Sequence, residues 1–292
     1  MDERGRCMPD ADRIRQEQRE VWSAAAAAWQ KGAETPLPMD PVTERLLAEA
    51  RIIAGMRVLD LGSGAGNPAL FIAERVGPTG SVLGLDLSPT MVDGTSDRAR
   101  RRGLTNARFR LIEREVELGA PDGAFDAATA RCCLMYAPDP SAALAALRAA
   151  VRPGGRLAFS TWARLDRCPS HRLLVEIVGA CVALNAEESR GLALPFTALP
   201  TPDIHAAACQ AAGLAEIVTH EVEMAIEAES AEAFWQSRVS RSGPLLGALR
   251  THPAEAREAV GEAFIARLRA LFGAGPIRFT DMMLVTGASV PS

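Results

Sequence analysis

A glycine-rich loop is the part of the chain whose residue types and spacing could bind a cofactor. The segment VLDLGSGAG, residues 58–66, places three glycines directly after an apolar stretch. Glycines at such a point let the backbone turn tightly and let a ligand approach the main chain. Asp86 ends the next apolar stretch, 22 residues after Gly64, where a carboxylate can bind a pair of ribose hydroxyls. Together they predict a site for a cofactor that contains adenosine; the alternative is a tight turn beside a surface aspartate.

Asp60, two residues before Gly62, bears on which cofactor the loop binds. A carboxylate repels a pyrophosphate in a cleft of low dielectric constant, whereas it attracts a cationic ligand. S-adenosylmethionine carries a sulfonium and an ammonium group and has no phosphate. The dinucleotide pattern also expects a third glycine at position 67, where this chain has Asn67. Charge and spacing therefore favour S-adenosylmethionine over NAD(P), although Asp60 could also cap the amides of the loop.

The segments around this loop alternate between strand and helix patterns. Helical patterns come first, at 14–30 and 41–54, and helices then separate five apolar stretches, at 57–61, 81–87, 107–112, 125–130 and 156–162. Helices are predicted again at 169–184, 202–213 and within 228–274, and strands at 216–226 and 277–287. Strands that alternate with helices indicate parallel βαβ units and a doubly wound α/β sheet.

This pattern divides the chain into four parts. Residues 1–54 are predicted to form an N-terminal helical cap, and residues 55–164 the cofactor-binding core. Residues 165–200 are a cap insertion, and residues 201–292 complete the core, with a helical lid insertion at about 228–274. Long insertions within a compact domain usually have a function, so we expect both insertions to form an apolar lid over the site of the second substrate.

The composition narrows the class of protein. The chain has 292 residues, of which 48% are apolar and 23% charged, as in ordinary globular proteins. A net charge of −4 argues against a nucleic-acid partner, and no apolar run approaches the roughly 20 residues that span a bilayer. The N-terminus is too polar for a secretory signal, and the six cysteines form no C-x-x-C pair. We therefore expect a cytoplasmic protein with reduced thiols and no metal, as a monomer or a homodimer.

Four segments together resemble the class I S-adenosylmethionine-dependent methyltransferases. They are VLDLGSGAG, LGLDLSPTM, PDGAFDAATARCCLMYAPDP and VRPGG, all within residues 56–162, and they are most similar to the ubiquinone/menaquinone-biosynthesis and small-molecule group. The resemblance implies a Rossmann-like, seven-stranded sheet that is mostly parallel, with an antiparallel last strand and a helical cap. It implies methyl transfer to oxygen, carbon or nitrogen of a small hydrophobic or aromatic acceptor. The alternatives are an NAD(P)-dependent oxidoreductase and a non-catalytic cofactor-binding module.

The resemblance also assigns residues to the cofactor. It places Gly62, Ser63 and Gly64 along the methionine and ribose, Asp86 at the ribose hydroxyls, and Leu87 and Met91 against the adenine. Asp60 and Arg131 are expected near the methionine part. An acid after the third strand holds the adenine edge in this family; strand register favours Glu113, whereas counting back from Pro121 points to Arg114.

No catalytic side chain is obligatory for this chemistry. Methyl transfer from a sulfonium is an in-line displacement that depends on positioning, and a base is needed only when the acceptor must lose a proton. His171, at the start of the first cap helix, and Tyr136, the only tyrosine, are the candidates. His205, near a helix start, is a weaker one.

Overall fold

The computed structural model describes residues 11–32 and 39–292. Seven strands form one sheet in the order β3-β2-β1-β4-β5-β7-β6. The strands are β1 (Arg57–Leu61), β2 (Ser81–Asp86), β3 (Ala107–Leu111), β4 (Phe125–Arg131), β5 (Val151–Trp162), β6 (Ala215–Ala228) and β7 (Ile277–Ser289). β7 runs antiparallel to both of its neighbours, and the pairs from β3 to β5 are parallel. The predicted α/β fold class and its antiparallel last strand are confirmed.

Eleven α-helices accompany the sheet in the described residues. They are α1 (Ala11–Gly32), α2 (Pro41–Glu49), α3 (Ala69–Val76), α4 (Pro89–Arg101), α5 (Pro140–Ala150), α6 (Pro169–Cys181), α7 (Ala186–Ala193), α8 (Pro202–Ala211), α9 (Ala231–Arg241), α10 (Gly243–Leu249) and α11 (Ala254–Phe272). Residues of α2 and α3 share one apolar cluster with the strands, and residues of α5 and α8 share another. No helix within residues 11–32 or 39–292 is long and apolar enough to cross a membrane.

A third apolar cluster lies where five further helices pack against β6 and β7. It contains Leu174 of α6, Leu192 of α7, Phe234 of α9, Leu245 of α10 and Phe264 of α11. We call these five helices the cap. They come from the two segments predicted as insertions, and because they share an apolar cluster they support one another rather than extending into solvent as separate loops.

Two local predictions differ from the structure. The segment Pro153-Gly154-Gly155 precedes the predicted strand 156–162 but lies within β5, because Gly154 N donates to Val290 O (2.9 Å) and Val290 N donates to Gly155 O (3.0 Å). The helix α7 is not predicted. Its signal is the capping box at Asn185 and Glu188, in which each side chain accepts from the other residue's backbone N–H.

Candidate active site

A cavity of about 1140 Å³ lies beside the residues that end or follow β1, β2, β4 and β5. Ligands of open α/β sheets bind outside the carboxyl ends of the strands, so this position fits the rule. The volume exceeds the usual 300–1,000 Å³ of a single small-molecule pocket, which leaves room for two ligands. We call the wall formed by residues of 61–115 and by Arg131 the cofactor half. We call the wall formed by Trp162, β6, β7 and the cap the acceptor half.

The glycine loop forms part of the cofactor half, and its glycines have different reasons to be glycine. Gly62 and Gly64 both have positive φ, 70° and 50°. A Cβ on Gly62 would lie 2.4 Å from the Cβ of Cys133, so its missing side chain is required by packing. A Cβ on Gly64 would meet only the carbonyl of Gly62, at 3.8 Å. The space in front of Gly64 is therefore open to a ligand.

Asp86 is held at the cavity wall by backbone amides. Gly64 N and Ser88 N each donate to one of its carboxylate oxygens at 2.8 Å. Ser88 in turn caps α4, since its Oγ accepts from Met91 N at 3.3 Å. Burial raises the pKa of Asp86. Leu87 and Met91, which are predicted to contact the adenine, line the cavity beside it. A carboxylate oxygen accepts more than one hydrogen bond, so Asp86 keeps acceptor capacity for a ligand.

Asp60 and Ser63 lie behind this wall and do not line the cavity. Asp60 faces Thr129 in the register of β1 and β4, and Thr129 Oγ1 donates to its Oδ1 at 2.6 Å. Burial raises the pKa of Asp60 to about 7. Asp60 Oδ2 and Ser63 Oγ are buried and have no hydrogen-bond partner in the part of the chain that the structure describes. Both residues are predicted to contact the ligand directly, but here they lie behind the residues that line the cavity. Asp60 is directed toward β4 because it is paired with Thr129.

The prediction for Glu113 and Arg114 does not agree with their positions. Both are exposed, neither lines the cavity, and Arg114 pairs with Asp12 (2.9 Å) and Glu117 (3.2 Å). Ile112 and Glu115 line the cavity instead. After β3 the chain turns so that Ile112 and Glu115 are buried and the two residues between them face solvent.

Glu115 is held by an arginine from the other end of the chain. Arg15 donates to both of its carboxylate oxygens, with Nε at 2.8 Å and Nη2 at 2.7 Å. A bidentate pair of this kind is strong and directional. It joins α1 to the loop after β3 across 100 residues of sequence, which is why no local pattern indicated Glu115.

Further hydrogen bonds join α1 to the start of α4. Ser23 Oγ lies 2.9 Å from Ser88 Oγ, and Gln30 Nε2 donates to Met91 O at 3.3 Å. Trp22 and Trp29 of α1 line the cavity. The N-terminal helix therefore covers the side of the cofactor half formed by Asp86 and Met91.

Arg131, at the end of β4, lines the cavity and is also paired. Its Nη2 lies 3.2 Å from Asp40 Oδ2, and Asn67 Nδ2 donates to the same oxygen at 3.2 Å. Arg131 Nε is buried without a hydrogen-bond partner. Arg131 therefore forms an ion pair at the cavity wall, and its contact with the methionine part stays a prediction.

The acceptor half is mostly apolar. Its wall includes Trp162 of β5, Leu174 and Val175 of α6, Phe196, Met224 of β6 and Met283 of β7. Few polar groups interrupt this surface, and two of them, His171 and Arg238, lie next to each other, with His171 Nε2 and Arg238 Nη1 3.4 Å apart. Such a surface favours an acceptor with a large apolar or aromatic part.

His171 is oriented by a buried carboxylate. Its Nδ1 lies 2.7 Å from Oδ2 of Asp281, a fully buried residue of β7. Ser170 N donates to Asp281 Oδ1 at 2.9 Å, and Ser170 Oγ donates to Asp281 Oδ2. The centroid of the imidazole ring lies 4.5 Å from the ring centroid of Trp162 and 5.1 Å from that of Phe196. Packing and hydrogen bonds together hold His171 in one orientation at the cavity wall.

The protonation state of this pair follows from its surroundings. Burial lowers the pKa of His171, although the hydrogen bond to Asp281 opposes the shift. Burial alone would raise the pKa of Asp281, but hydrogen bonds from His171 and Ser170 hold it below its usual range. At neutral pH the imidazole is therefore neutral beside an ionised carboxylate. Its Nδ1 carries the proton that Asp281 accepts, which leaves Nε2 as a hydrogen-bond acceptor.

Sequence reasoning missed Asp281. It is the single acid of the last strand segment IRFTDMMLVTG, residues 277–287, and it directly precedes the apolar residues MMLV. A lone carboxylate in an apolar strand must be paired where it is buried, and that was the available signal. The partner could not be inferred, because His171 lies 110 residues away.

The other sequence candidates differ from His171 in position or in protonation. Tyr136 lines the cavity edge-on to Trp22, with ring centroids 5.2 Å apart, and burial raises the pKa of its phenol, so it remains protonated. His205 is fully buried away from the cavity, between Thr161 Oγ1 (2.9 Å) and Thr286 Oγ1 (2.6 Å). Burial lowers the pKa of His205 to about 4. Tyr136 is therefore a wall residue, and His205 belongs to the core.

The cap contributes to the wall unevenly. α9 and α10 supply Ser237, Arg238, Arg241 and Pro244, and α6 supplies His171 with its neighbours. α11 lines none of the cavity; its Phe264 and Leu268 are buried in the apolar cluster of the cap. Within the segment 228–274 the cavity wall comes from the first two helices, and the third supports them.

Comparison with known proteins agrees with this geometry. Residues 52–192 match the family described as methyltransferase domain. Nocamycin O-methyltransferase from Saccharothrix syringae is 31% identical over 264 residues, 86% of this chain and 92% of that protein. The structure of the cyclase SpnF covers 94% of this chain and 97% of its own, with a TM-score of 0.60 and 18% identity, which shows a shared fold. A phosphoethanolamine N-methyltransferase of Haemonchus contortus, in complex with S-adenosyl-L-methionine, covers 94% of this chain and 57% of its own, with a TM-score of 0.55 and 14% identity. The chain therefore belongs to the class I S-adenosylmethionine-dependent methyltransferases, and it is an enzyme that transfers a methyl group to a small organic acceptor.

Proposed function

We propose that this enzyme methylates a hydroxyl or enol oxygen of a small, largely apolar acceptor, with His171 as the general base. One observation carries the proposal: a neutral imidazole at the cavity wall, held through Nδ1 by Asp281 at 2.7 Å. An oxygen acceptor must lose a proton to become a good nucleophile, whereas an amine or an activated carbon has less need of a base. The relative with 31% identity is by name an O-methyltransferase, which supports the choice of oxygen.

The cofactor half fits S-adenosylmethionine in its chemistry. Asp86 offers a carboxylate for the ribose hydroxyls, Gly64 leaves open space, and Leu87 and Met91 offer apolar surface for the adenine. The buried Oδ2 of Asp60 and Nε of Arg131 lack partners among the described residues and lie close to this half. When bound, S-adenosylmethionine would supply a methyl group on a positively charged sulfur, and this sulfur is the leaving group when an oxygen nucleophile takes the methyl group.

The residues of the acceptor half prepare that nucleophile. His171 Nε2, to which Arg238 Nη1 donates at 3.4 Å, takes the proton of the acceptor hydroxyl in place of that hydrogen bond, while Nδ1–H remains bonded to Asp281. The carboxylate stabilises the imidazolium that forms, as an orienting acid does in other histidine bases. Trp162 and Phe196, packed on the same imidazole, keep it in place and exclude water from it. Apolar walls hold the acceptor close to the methyl donor, and this positioning supplies much of the rate.

The test is the substitution His171→Gln, which removes the base from the wall. We expect the turnover number to fall by about 10²- to 10³-fold, measured as tritium moved from labelled S-adenosylmethionine into a small-molecule extract of the source cells. Calorimetric titration with S-adenosylhomocysteine should show unchanged affinity. His220→Gln is the control, since His220 pairs with Glu49 at 2.8 Å outside the cavity. Full activity of His171→Gln would show that the acceptor needs no base from this residue.

The pH profile gives the same experiment a second readout. Because the pKa of His171 lies below its ordinary 6.5, the base is neutral at pH 7 and above. Turnover of the unmodified enzyme should be flat there and fall only as the pH drops below about 6.5, when Nε2 becomes protonated. The residual activity of His171→Gln should lack this acid limb. An identical limb in both proteins would assign it to another group.

The remaining sequence-based expectations stay predictions. They are a cytoplasmic location, a small molecule as partner in place of a nucleic acid, and a monomeric or homodimeric state. The four-part domain division is likewise proposed, with the cap serving acceptor binding and the segment 55–164 serving the cofactor.

A further inference from the structure

The helix α9 presents two arginines to the cavity. Arg238 and Arg241 are three residues apart, on one face of the helix, and both line the cavity. Phe234 and Trp235 of the same helix pack into the apolar cluster of the cap. The sequence alone did not single out these two arginines, because an amphipathic surface helix commonly carries them.

The guanidinium group of Arg238 forms one hydrogen bond with the described residues, to His171. Its Nη1 lies 3.4 Å from His171 Nε2, and its guanidinium lies 4.9 Å above the ring of Phe234. Its Nε is buried with no hydrogen-bond partner. Among the described residues no carboxylate lies within 4.0 Å of its guanidinium nitrogens, and the nearby Asp281 is committed to His171 and Ser170. Burial lowers the pKa of Arg238 to about 10, so it remains charged at neutral pH.

Arg241 adds a second positive charge nearer the α1 side. Its guanidinium lies 5.9 Å from the ring centroid of Trp29, whose Nε1 donates to the backbone oxygen of Arg241 at 2.8 Å. No carboxylate of residues 11–32 or 39–292 forms an ion pair with it at 4.0 Å or less. Two guanidinium groups thus face the acceptor half with no paired acid within the described chain.

A partly buried charge without a counter-ion is costly unless an occupant compensates it. The arginines of the cofactor half differ in this respect, since Arg15 is paired with Glu115 and Arg131 with Asp40. We infer that Arg238 and Arg241 form an anion-binding subsite, and that the acceptor carries a carboxylate next to the oxygen that is methylated. This inference rests on the proposed function, because it places the acceptor beside His171.

The geometry explains why the two groups must be neighbours. Arg238 Nη1 and His171 Nε2 are 3.4 Å apart, so a carboxylate on the guanidinium puts a hydroxyl on the adjacent atom within reach of Nε2. Guanidinium binds carboxylate through two parallel hydrogen bonds, which also orients the acceptor. The positive charge of Arg238 opposes protonation of His171. An anionic acceptor neutralises that charge and makes the imidazole a stronger base once the acceptor is bound.

The experiment uses the full chain saturated with S-adenosylhomocysteine and two probes with the same rings. 3-Hydroxy-2-naphthoate carries a carboxylate beside its hydroxyl, and 2-naphthol lacks it. By calorimetry the unmodified protein should bind the naphthoate at least about tenfold more tightly. Arg238→Gln should abolish the preference, and Arg241→Gln should reduce it. Arg238→Lys, which keeps the positive charge but cannot form two parallel hydrogen bonds to a carboxylate, should retain part of the preference. Arg257→Gln, an exposed arginine of α11, is the matched control and should change nothing.

Each other outcome overturns the subsite. One is an unmodified protein that binds both probes equally, or neither. Another is a preference that survives in Arg238→Gln with its thermal unfolding unchanged. A third is a loss of S-adenosylhomocysteine affinity in Arg238→Gln, which would assign the arginine to the carboxylate of the cofactor. His171→Gln separates this inference from the proposed function, because it should lose methyl transfer and keep the preference for the naphthoate.

Discussion

The two halves of the cavity treat charge in opposite ways. In the cofactor half, Arg15 is paired with Glu115, and Arg131 with Asp40, while backbone amides hold Asp86. In the acceptor half, Arg238 has no acid of its own. An arginine that is already paired with an acid of the chain, as Arg15 and Arg131 are, is positioned before a ligand arrives. A wall with an unsatisfied charge selects a ligand that brings the opposite charge.

The halves also differ in how the chain builds them. Gly62, Gly64, Asp86 and Met91 lie within 30 residues of one another, on one strand–loop–helix unit and the strand and helix that follow. The acceptor half joins β5, β6, β7, α6 and α9, which are spread over more than 100 residues of sequence. Local geometry can specify the first half, whereas the second exists only once the cap has packed on the sheet.

The largest effect should come from filling the space in front of Gly64. Gly64→Val puts a branched side chain into the open cofactor half and strains a residue with φ of 50°. We expect the affinity for S-adenosylhomocysteine, measured by calorimetry, to fall at least about 100-fold. Gly77→Val is the matched control, because Gly77 has a φ of 67° and lies outside the cavity. If both variants lose affinity equally, strain rather than blocked space is responsible.

A smaller effect should follow from Asp86→Ala. It removes the acceptor that the ribose hydroxyls require, so we expect binding of S-adenosylhomocysteine to weaken by about 1–3 kcal/mol. Asp126→Ala removes a carboxylate that binds Arg57 and Arg152 outside the cavity, and should leave the affinity unchanged. The preference of the acceptor half for 3-hydroxy-2-naphthoate should survive in Asp86→Ala at saturating cofactor product. Unchanged affinity in a folded Asp86→Ala protein would remove Asp86 from the cofactor site.

The smallest effect should come from the ion pair that joins α1 to the cofactor half. Arg15→Gln breaks the bidentate bond to Glu115 and leaves that carboxylate without its partner. We expect S-adenosylhomocysteine to dissociate a few times faster in stopped-flow measurements, because α1 covers this half less firmly. Arg13→Gln, on the same helix, breaks only surface pairs with Glu17 and Glu187 and should have no effect. Equal rates in Arg15→Gln and the unmodified protein would mean that α1 does not retain the ligand.

The residues assigned to the cofactor from the sequence remain a prediction, and the structure shows which of them reach the cavity. Gly62, Gly64, Asp86, Leu87, Met91 and Arg131 all line the cavity. Asp60 and Ser63 lie behind the wall, and after β3 Glu113 and Arg114 face solvent while Glu115 faces inward. The number of residues after a strand does not determine which side chain turns inward, since that depends on what packs against the loop. Here the partner is Arg15, and its distance along the sequence left no periodic signal.

The sequence by itself determined the class of fold and predicted where the cofactor binds. Alternating apolar segments and glycine positions act locally, through backbone geometry and burial, and can therefore be read along the chain. Only the tertiary structure decided that His171 is oriented by Asp281, that Arg238 stands unpaired beside it, and that α11 supports the cap without reaching the cavity. These relations depend on side chains that meet across 67 and 110 residues. Such contacts follow from how packed elements face one another, which no spacing within a single segment encodes.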